Sequence, residues 1–476
     1  MLPALIRDRV APPPPAPAAP KSVAHQMCLT IVWVAVALGS LVFIEPAPVD
    51  LLTVGLFVLL PVAGLFAYHE RIAAPFAVML AISALEFLAA NFAFDQDVAV
   101  RHNAVSLYLF GAAFLFAGFI VKRPAAHAKL ILNAYLVSAV LAAVLGIAGY
   151  LDLFDGAYQT LTRYDRASGT FKDPNVFGPF LVPALLTALH MWLTQPLRRG
   201  LLPLALAAVL SAGLLLSFSR GAWACAAIAT GIYVYFYLLA AKRNVDRLKL
   251  AGLVVASSMM VTLLLTAALQ SDAISSLMEQ RATLTQPYDE GPEGRFGGQQ
   301  KAFDQILQNP MGRGGLQFAP YIHHEEPHNV YLTMFLSSGW TGGLLYIALC
   351  ASLLIAGFRH ALMPTRTRGL FVIAYASLAA TILLGFIIDS DHWRHFWLLT
   401  AIVIGLMAGD RRRLREGRIV ADRRPTLMQP LLIIGPSQRE GRIVRALPPR
   451  LSGNPLARAA GDAPQSPHRP SRLRGV

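Results

Sequence analysis

Between residues 28 and 409 the chain is a succession of apolar runs, each separated from the next by a short charged connection. As helices, runs of this kind are long enough to cross a hydrocarbon layer of about 30 Å. They show no strict in–out alternation of the sort barrel strands need. Only 14% of residues are charged against 55% hydrophobic, where soluble domains carry about 25% charged residues. Apolar surface spread over so much of the chain faces lipid rather than one enclosed core, and only self-satisfied helices can do that. The reading is an all-α polytopic membrane protein.

Twelve spans are expected, at about 28–44, 49–68, 73–94, 103–121, 129–150, 175–193, 201–217, 221–241, 248–268, 328–357, 369–388 and 393–409. Loop charge then orients them. Lys122, Arg123 and Lys129 share one connection, and Arg198 and Arg199 another. Lys242, Arg243, Arg247 and Lys249 fill a third, and Arg359, Arg366 and Arg368 a fourth. With the N-terminus inside, all four fall on the cytoplasmic side, as basic loops do. The connections with Glu45 and Asp50, Asp95 and Asp97, and Asp389 and Asp391 fall outside. Residues 1–27, with the run APPPPAPAAP at 11–20, are read as a disordered cytoplasmic leader rather than a signal peptide. Residues 410–476 hold fifteen Arg and five acidic residues, with REGRIV at 415–420 and again at 439–444. They are read as a disordered basic cytoplasmic tail beside anionic headgroups. This also accounts for the net charge of +14 without nucleic acid as a partner. Cys28, Cys225 and Cys350 sit in or beside apolar runs and read as small core residues.

The domain plan is therefore spans one to nine over 28–268, a large periplasmic loop at 269–327, and spans ten to twelve over 328–409. Phe296, Phe303, Ile306, Leu307 and Phe318 suggest that the large loop is partly helical around 299–308 and folded over the membrane as a cap.

Four polar segments meet the outer face. In RASGTFKDPNVFGPF, 166–180, Pro174 disfavours helix at Asp173, and Asn175 is placed to cap the span that follows. In SFSRGAW, 217–223, Arg220 lies in a tight outer turn and must face water, a lipid phosphate or an anionic ligand; Ser219 and Gly221 let a bulky ligand approach. In EGRFGGQQKAFDQILQNPMGRGG, 293–315, Arg295 precedes the helical stretch, and an arginine fork suits phosphate. In HHEEPHNVYLTMFLSSGWTGG, 323–343, His328 and Asn329 stand where the loop re-enters the membrane. Imidazole there suits taking a proton from a sugar hydroxyl. A metal reading of His323, His324, Glu325, Glu326 and His328 stays open, as does a merely structural His328, although the ligands are crowded into six residues. Glu86, a carboxylate inside a span, suggests an arginine-orienting or proton-relay role. Asp389, Asp391, His392, Arg394 and His395 form a further outer patch without an assigned role.

SFSRGAW, then EGR with its helix and NPMGRGG, then PHNVYLTMFLSSGWTGGLL, together with GTFKDPNVFGPFL, resemble the O-antigen ligase and polymerase family of bacterial envelope proteins. The resemblance covers about 165–350 in motif. It implies a GT-C-like fold in the bacterial inner membrane and a glycan donor on undecaprenyl diphosphate. The acceptor would be lipid A core for a ligase, or a further repeat unit for a polymerase. It also implies inverting transfer without metal or cofactor. Carried over, Arg220 and Arg295 would bind the donor diphosphate and His328 would activate the acceptor hydroxyl, with Asn329, Ser219, Glu86 and Asn175 in support. The ligase is favoured over an O-antigen or exopolysaccharide polymerase. From another class, a lipid-linked sugar transporter or flippase would be expected to show internal repeats and broken helices.

Overall fold

A computed structural model describes residues 23–241, 244–245, 247–252, 266 and 291–415. The chain divides into a unit Met1–Leu432 and a second, Ile433–Val476, which lies outside the described residues. The regular elements of the described part of the first unit are helices apart from one two-stranded ribbon, Thr162–Arg163 against Arg166–Ala167. Its helices are α1 (Val23–Ala37), α2 (Pro48–Val62), α3 (Glu70–Ala89), α4 (Gln96–Lys122), α5 (Pro124–Tyr150), α6 (Ala157–Leu161) and α7 (Pro174–Thr194). They continue with α8 (Leu201–Leu216), α9 (Arg220–Ala240), α10 (Arg295–Gln308), α11 (Phe318–Tyr321), α12 (Val330–Ala361), α13 (Arg368–Leu384) and α14 (Arg394–Arg415).

The class expected from the sequence is the one observed. The span count is not reproduced as such. Among the described residues six helices are long and apolar enough to cross a membrane, in the ranges Glu70–Phe92, Gln96–Lys122, Pro124–Tyr150, Pro174–Thr194, Arg220–Ala240 and Val330–Ala361. Four more, α1, α2, α8 and α13, are apolar but only 15–17 residues long. At 1.5 Å per residue they reach about 25 Å at most. The first expected span, 28–44, shows why: helix ends at Ala37 and residues 38–47 form a turn. Helix α1 also begins at Val23, inside the expected leader, and α14 runs on to Arg415, into the expected tail. The ninth expected span, 248–268, and residues 269–290 of the large loop lie almost wholly outside the described residues. Within 291–327, the expected helical stretch is α10, which packs on α12 and buries Gly298, Ala302 and Ile306. Phe296, Phe303 and Leu307 remain exposed.

The bundle is held by close backbone approach. α14 packs on α4, α12 on α3, α13 on α9, and α5 on α1, α7 and α8. Where α7 meets α9, a Cβ at Gly178 would lie 2.4 Å from that of Ala222. Small residues at such crossings do the work that hydrophobic driving force does in water.

One end of the bundle collects four capped helix starts. Asp95 caps α4 through Val98 N–H at 3.0 Å, Asp173 caps α7 through Asn175 N–H at 2.8 Å, and Ser219 caps α9 through Ala222 N–H at 3.3 Å. Asn329 caps α12 by accepting from Tyr331 and Leu332. The cap of α7 is thus Asp173 and not Asn175, because Pro174 takes the first helical position and pushes the residue before it into extended backbone. N-terminal ends carry orphan N–H groups and positive dipole ends. Their gathering at one end makes that end attractive to anions.

α12 is broken at Gly339, whose φ of +71° and ψ of −174° are not helical. Residues 309–315 fill the break. Arg313 N–H donates to Leu336 O at 2.7 Å and Trp340 N–H donates to Pro310 O at 2.9 Å. The carbonyl and N–H freed by the kink are both satisfied by the inserted loop, the condition for irregular backbone within a membrane bundle. A transporter reading expects broken helices, but here protein fills the gap.

Candidate functional site

The turn between α13 and α14, residues 385–393, is the hub on which the expected site residues meet. Arg295 opens α10 and its Nη2 donates to the carbonyl of Ile387, and at 3.4 Å to that of His328. Val330 N–H donates to Gly385 O at 2.9 Å, so the start of α12 is stitched to the same turn. A Cβ at Gly221, beside Arg220, would sit 3.1 Å from Leu384 and 3.5 Å from Ile387. The three elements that carry Arg220, Arg295 and His328 therefore border one turn, from three separated stretches of chain.

His328 is half-exposed, in left-handed backbone at φ +49°. Its Nε2 is 3.4 Å from Glu325 Oε2 and its Nδ1 is 3.9 Å from Asp389 Oδ2. An imidazole held between two carboxylates has its tautomer and orientation set by them. Asp389 is itself fixed: Thr333 Oγ1 donates to it at 2.6 Å, and Asn329 N–H also bonds it. Burial, then the neighbouring Asp391, push its carboxyl up to about 6. Burial likewise pushes Glu326, which accepts from Ala319 N–H, up to about 7, with Asp389 and Asp391 adding to the rise.

Arg220 begins α9 and is half-buried. The turn before it is locked by a residue that sequence reasoning passed over. Arg166 is 5% exposed; its Nε donates to Ser217 O at 2.7 Å and its Nη2 to Asn175 Oδ1 at 2.8 Å. Ser219 Oγ donates to the same Asn175 oxygen at 2.9 Å. Asn175 and Ser219 are thus joined, and tie the first motif to the second. Its neighbourhood, TRYDRASGT at 162–170, is polar, so nothing in the local sequence marked Arg166 for burial.

Glu86 is not beside an arginine. It is 1% exposed, accepts from Ser106 Oγ at 3.4 Å, and leaves Oε2 without a partner. Ser106 also meets His392 Nε2 at 2.9 Å, and His102 stacks on His392 at 3.9 Å between ring centres. This buried cluster reaches Asp391 but none of the three expected site residues directly. His392, pulled down to about 4 chiefly by burial, is neutral near pH 7.

Among the described residues two groups carry metal-ligand side chains, Glu293–His323–His324 and His102–Asp391–His392. In the first, His323 Nδ1 accepts from Glu325 N–H, and Nε2 lies 3.2 Å from Glu293 O, so both ring nitrogens are engaged. In the second, the two imidazoles are within 20° of parallel, so their in-plane lone pairs do not converge on a point. Neither set fits a compact metal site. Nor does the crowded His323–His328 run, because its ligands turn to different partners.

Residues 204–347 match the family model described as O-antigen ligase. That segment contains Arg220, Arg295, His328 and Gly339, while Glu86, Arg166, Asn175 and Asp389 lie outside it. No curated protein matches the chain.

Proposed function

We propose, for a chain whose segment 204–347 matches the O-antigen ligase family model, a ligase reaction at the outer face of the bacterial inner membrane, with both chain ends in the cytoplasm. The donor is a glycan on undecaprenyl diphosphate and the acceptor a hydroxyl of lipid A core. The observation that carries the reading is the single hub: Arg295 reaching the main chain of His328 and Ile387, with the Arg220 turn against Leu384 and Ile387.

His328 takes the proton of the acceptor hydroxyl, and that oxygen attacks the anomeric carbon of the donor sugar. The bond from that carbon to the diphosphate oxygen breaks, and the lipid diphosphate leaves with the electron pair. One displacement of this kind inverts the anomeric centre. Arg220 and Arg295 receive the leaving charge, aided by the gathered helix N-termini, so the reaction needs no metal to supply positive charge. Asp389, held by Thr333 and Asn329, lies 3.9 Å from Nδ1 of His328 and orients the ring, and Glu325, 3.4 Å from Nε2, stands ready to pair with the imidazole once it has taken the proton. Asn329 supports the site as the cap of α12. Arg166, Asn175 and Ser219 support it by fixing the turn that carries Arg220. Water is limited by the 291–329 segment over the hub, since hydrolysis of the donor competes with transfer.

The test is transfer by purified protein in liposomes, with a defined undecaprenyl-diphosphate glycan and a choice of acceptors. One block added to lipid A core is the expected product. A ladder of repeats on the lipid carrier would replace this reading with polymerase. Transport without transfer would replace it with a flippase. His328→Ala and Arg295→Ala are each expected to abolish transfer while the protein still inserts.

A further inference from the structure

On the far side of the same turn from His328 lies a cavity of about 210 Å³ that none of the roles above uses. It is enclosed by the α1–α2 connection, the segment 171–180 and the start of α14. Its polar lining is Glu45, Lys172, His392 and Arg394, and its flat walls include Phe171 and Trp393. Each of the two cations is already neutralised. Lys172 Nζ is 2.9 Å from Glu45, and Arg394 holds Asp50 in a fork at 2.8 and 2.7 Å. The second carboxylate of the lining, Asp173, is engaged as the cap of α7. The His395 ring, stacked against Trp393, also lines the chamber and has a buried Nε2 without a partner.

A chamber with its charges paired off has no surplus cation for a phosphate. It offers instead fixed donors and acceptors on one side and aromatic planes on the other. Sugar rings present just this pair of faces, hydroxyls around the edge and C–H groups on the flat side. We infer that this cavity is a saccharide subsite, taking a neutral sugar residue of the acceptor glycan. Its placement follows from the turn. Asp389 meets His328, and His392, three residues on, lines the cavity. Three extended residues span ~10 Å at most, so a sugar held here stands within a residue or two of the proton acceptor. The assignment of the sugar to the acceptor rests on the transferase reading; the binding of a sugar does not.

The experiment is calorimetric titration of the full-length protein in nanodiscs with a dephosphorylated core oligosaccharide. It compares wild type, Arg295→Ala, the double variant Glu45→Gln with Lys172→Met, and Trp393→Phe. Glu45 and Lys172 have side chains 61% and 51% exposed, so the double variant folds. Wild type and Arg295→Ala are expected to bind equally. The double variant should bind at least tenfold more weakly, and Trp393→Phe, which shrinks one aromatic wall, should bind more weakly than wild type. Equal binding by wild type and the double variant would overturn the proposal. So would an oligosaccharide that does not bind while phosphatidylethanolamine in the disc raises the melting temperature of wild type but not of the double variant. Saccharide binding at this cavity with no transfer to any acceptor would leave the subsite standing and remove the transferase reading alone.

Discussion

Gly339→Ala is the most demanding perturbation of the architecture, because every part of its cost can be read off the structure. At φ +71° and ψ −174°, residue 339 occupies a region essentially restricted to glycine, and an L side chain there costs about 1–3 kcal/mol. The added Cβ would lie 2.6 Å from Pro310 O, 2.7 Å from Met311 C and 2.8 Å from Met311 O. All three are main-chain atoms of the inserted loop, so no flexible side chain can move aside. Expelling the loop breaks the Arg313–Leu336 and Trp340–Pro310 hydrogen bonds, at about 1 kcal/mol each. The sum is about 3–5 kcal/mol. Gly55→Ala is the control: it lies in α2 with nothing within 4 Å of the new atom, and alanine is the better helix former there. Thermal unfolding in detergent, followed by loss of the monodisperse peak, should show a large drop for Gly339→Ala and none for Gly55→Ala. Transfer should fall with it, since the loop continues from α10, whose first residue is Arg295. Equal midpoints and equal activity in the two variants would refute the inserted-loop account.

Other outcomes follow from the same geometry. Activity should rise with pH through about 6 as Asp389 ionises and orients His328, and Asp389→Asn should lower the rate and remove that acidic limb; an unchanged profile would leave Asp389 no part in it. Asp389 and Glu326 hold their protons more tightly in the folded chain than in the unfolded one. Their contribution to stability should therefore decrease as pH rises from about 4 to 7, measured by unfolding midpoints of wild type against Asp389→Asn with Glu326→Gln. Arg220→Lys should cut transfer by about 10²-fold or more in a rate assay, because an ammonium cannot reproduce a forked contact. Arg166→Lys should lose its contact with either Ser217 O or Asn175, lowering stability by about 1.5–3 kcal/mol in the same unfolding assay.

Membrane character, the helical class and the approximate bounds of most helices were legible in the chain, since apolar run length and loop charge are local quantities. The helix resuming after Asn329 was legible for the same reason, whereas α10 begins at Arg295, ahead of the 299–308 stretch that the apolar spacing marked. Local pattern also misled. Asn175 looked like a cap because the effect of Pro174 on Asp173 was read only as helix breaking, when it also sets up Asp173 as the cap. Glu86 suggested an arginine partner, but its real neighbours, Ser106 and Asp391, come from 20 and 305 positions away. The break at Gly339 is invisible in a run that reads as one span, because its cause is an inserted loop that accepts a hydrogen bond at Pro310 O and donates one from Arg313 N–H.

By itself the sequence determined which segments leave water and which residue types wait at the outer surface, because transfer of apolar side chains and the cost of stranding charge are paid residue by residue. Only the tertiary structure decided that Arg220, Arg295, His328 and Asp389 border one turn, and that Arg166 holds another in place. Those contacts depend on how helices far apart in the chain cross, and crossing is fixed by small-residue packing and by hydrogen bonds that no local window contains.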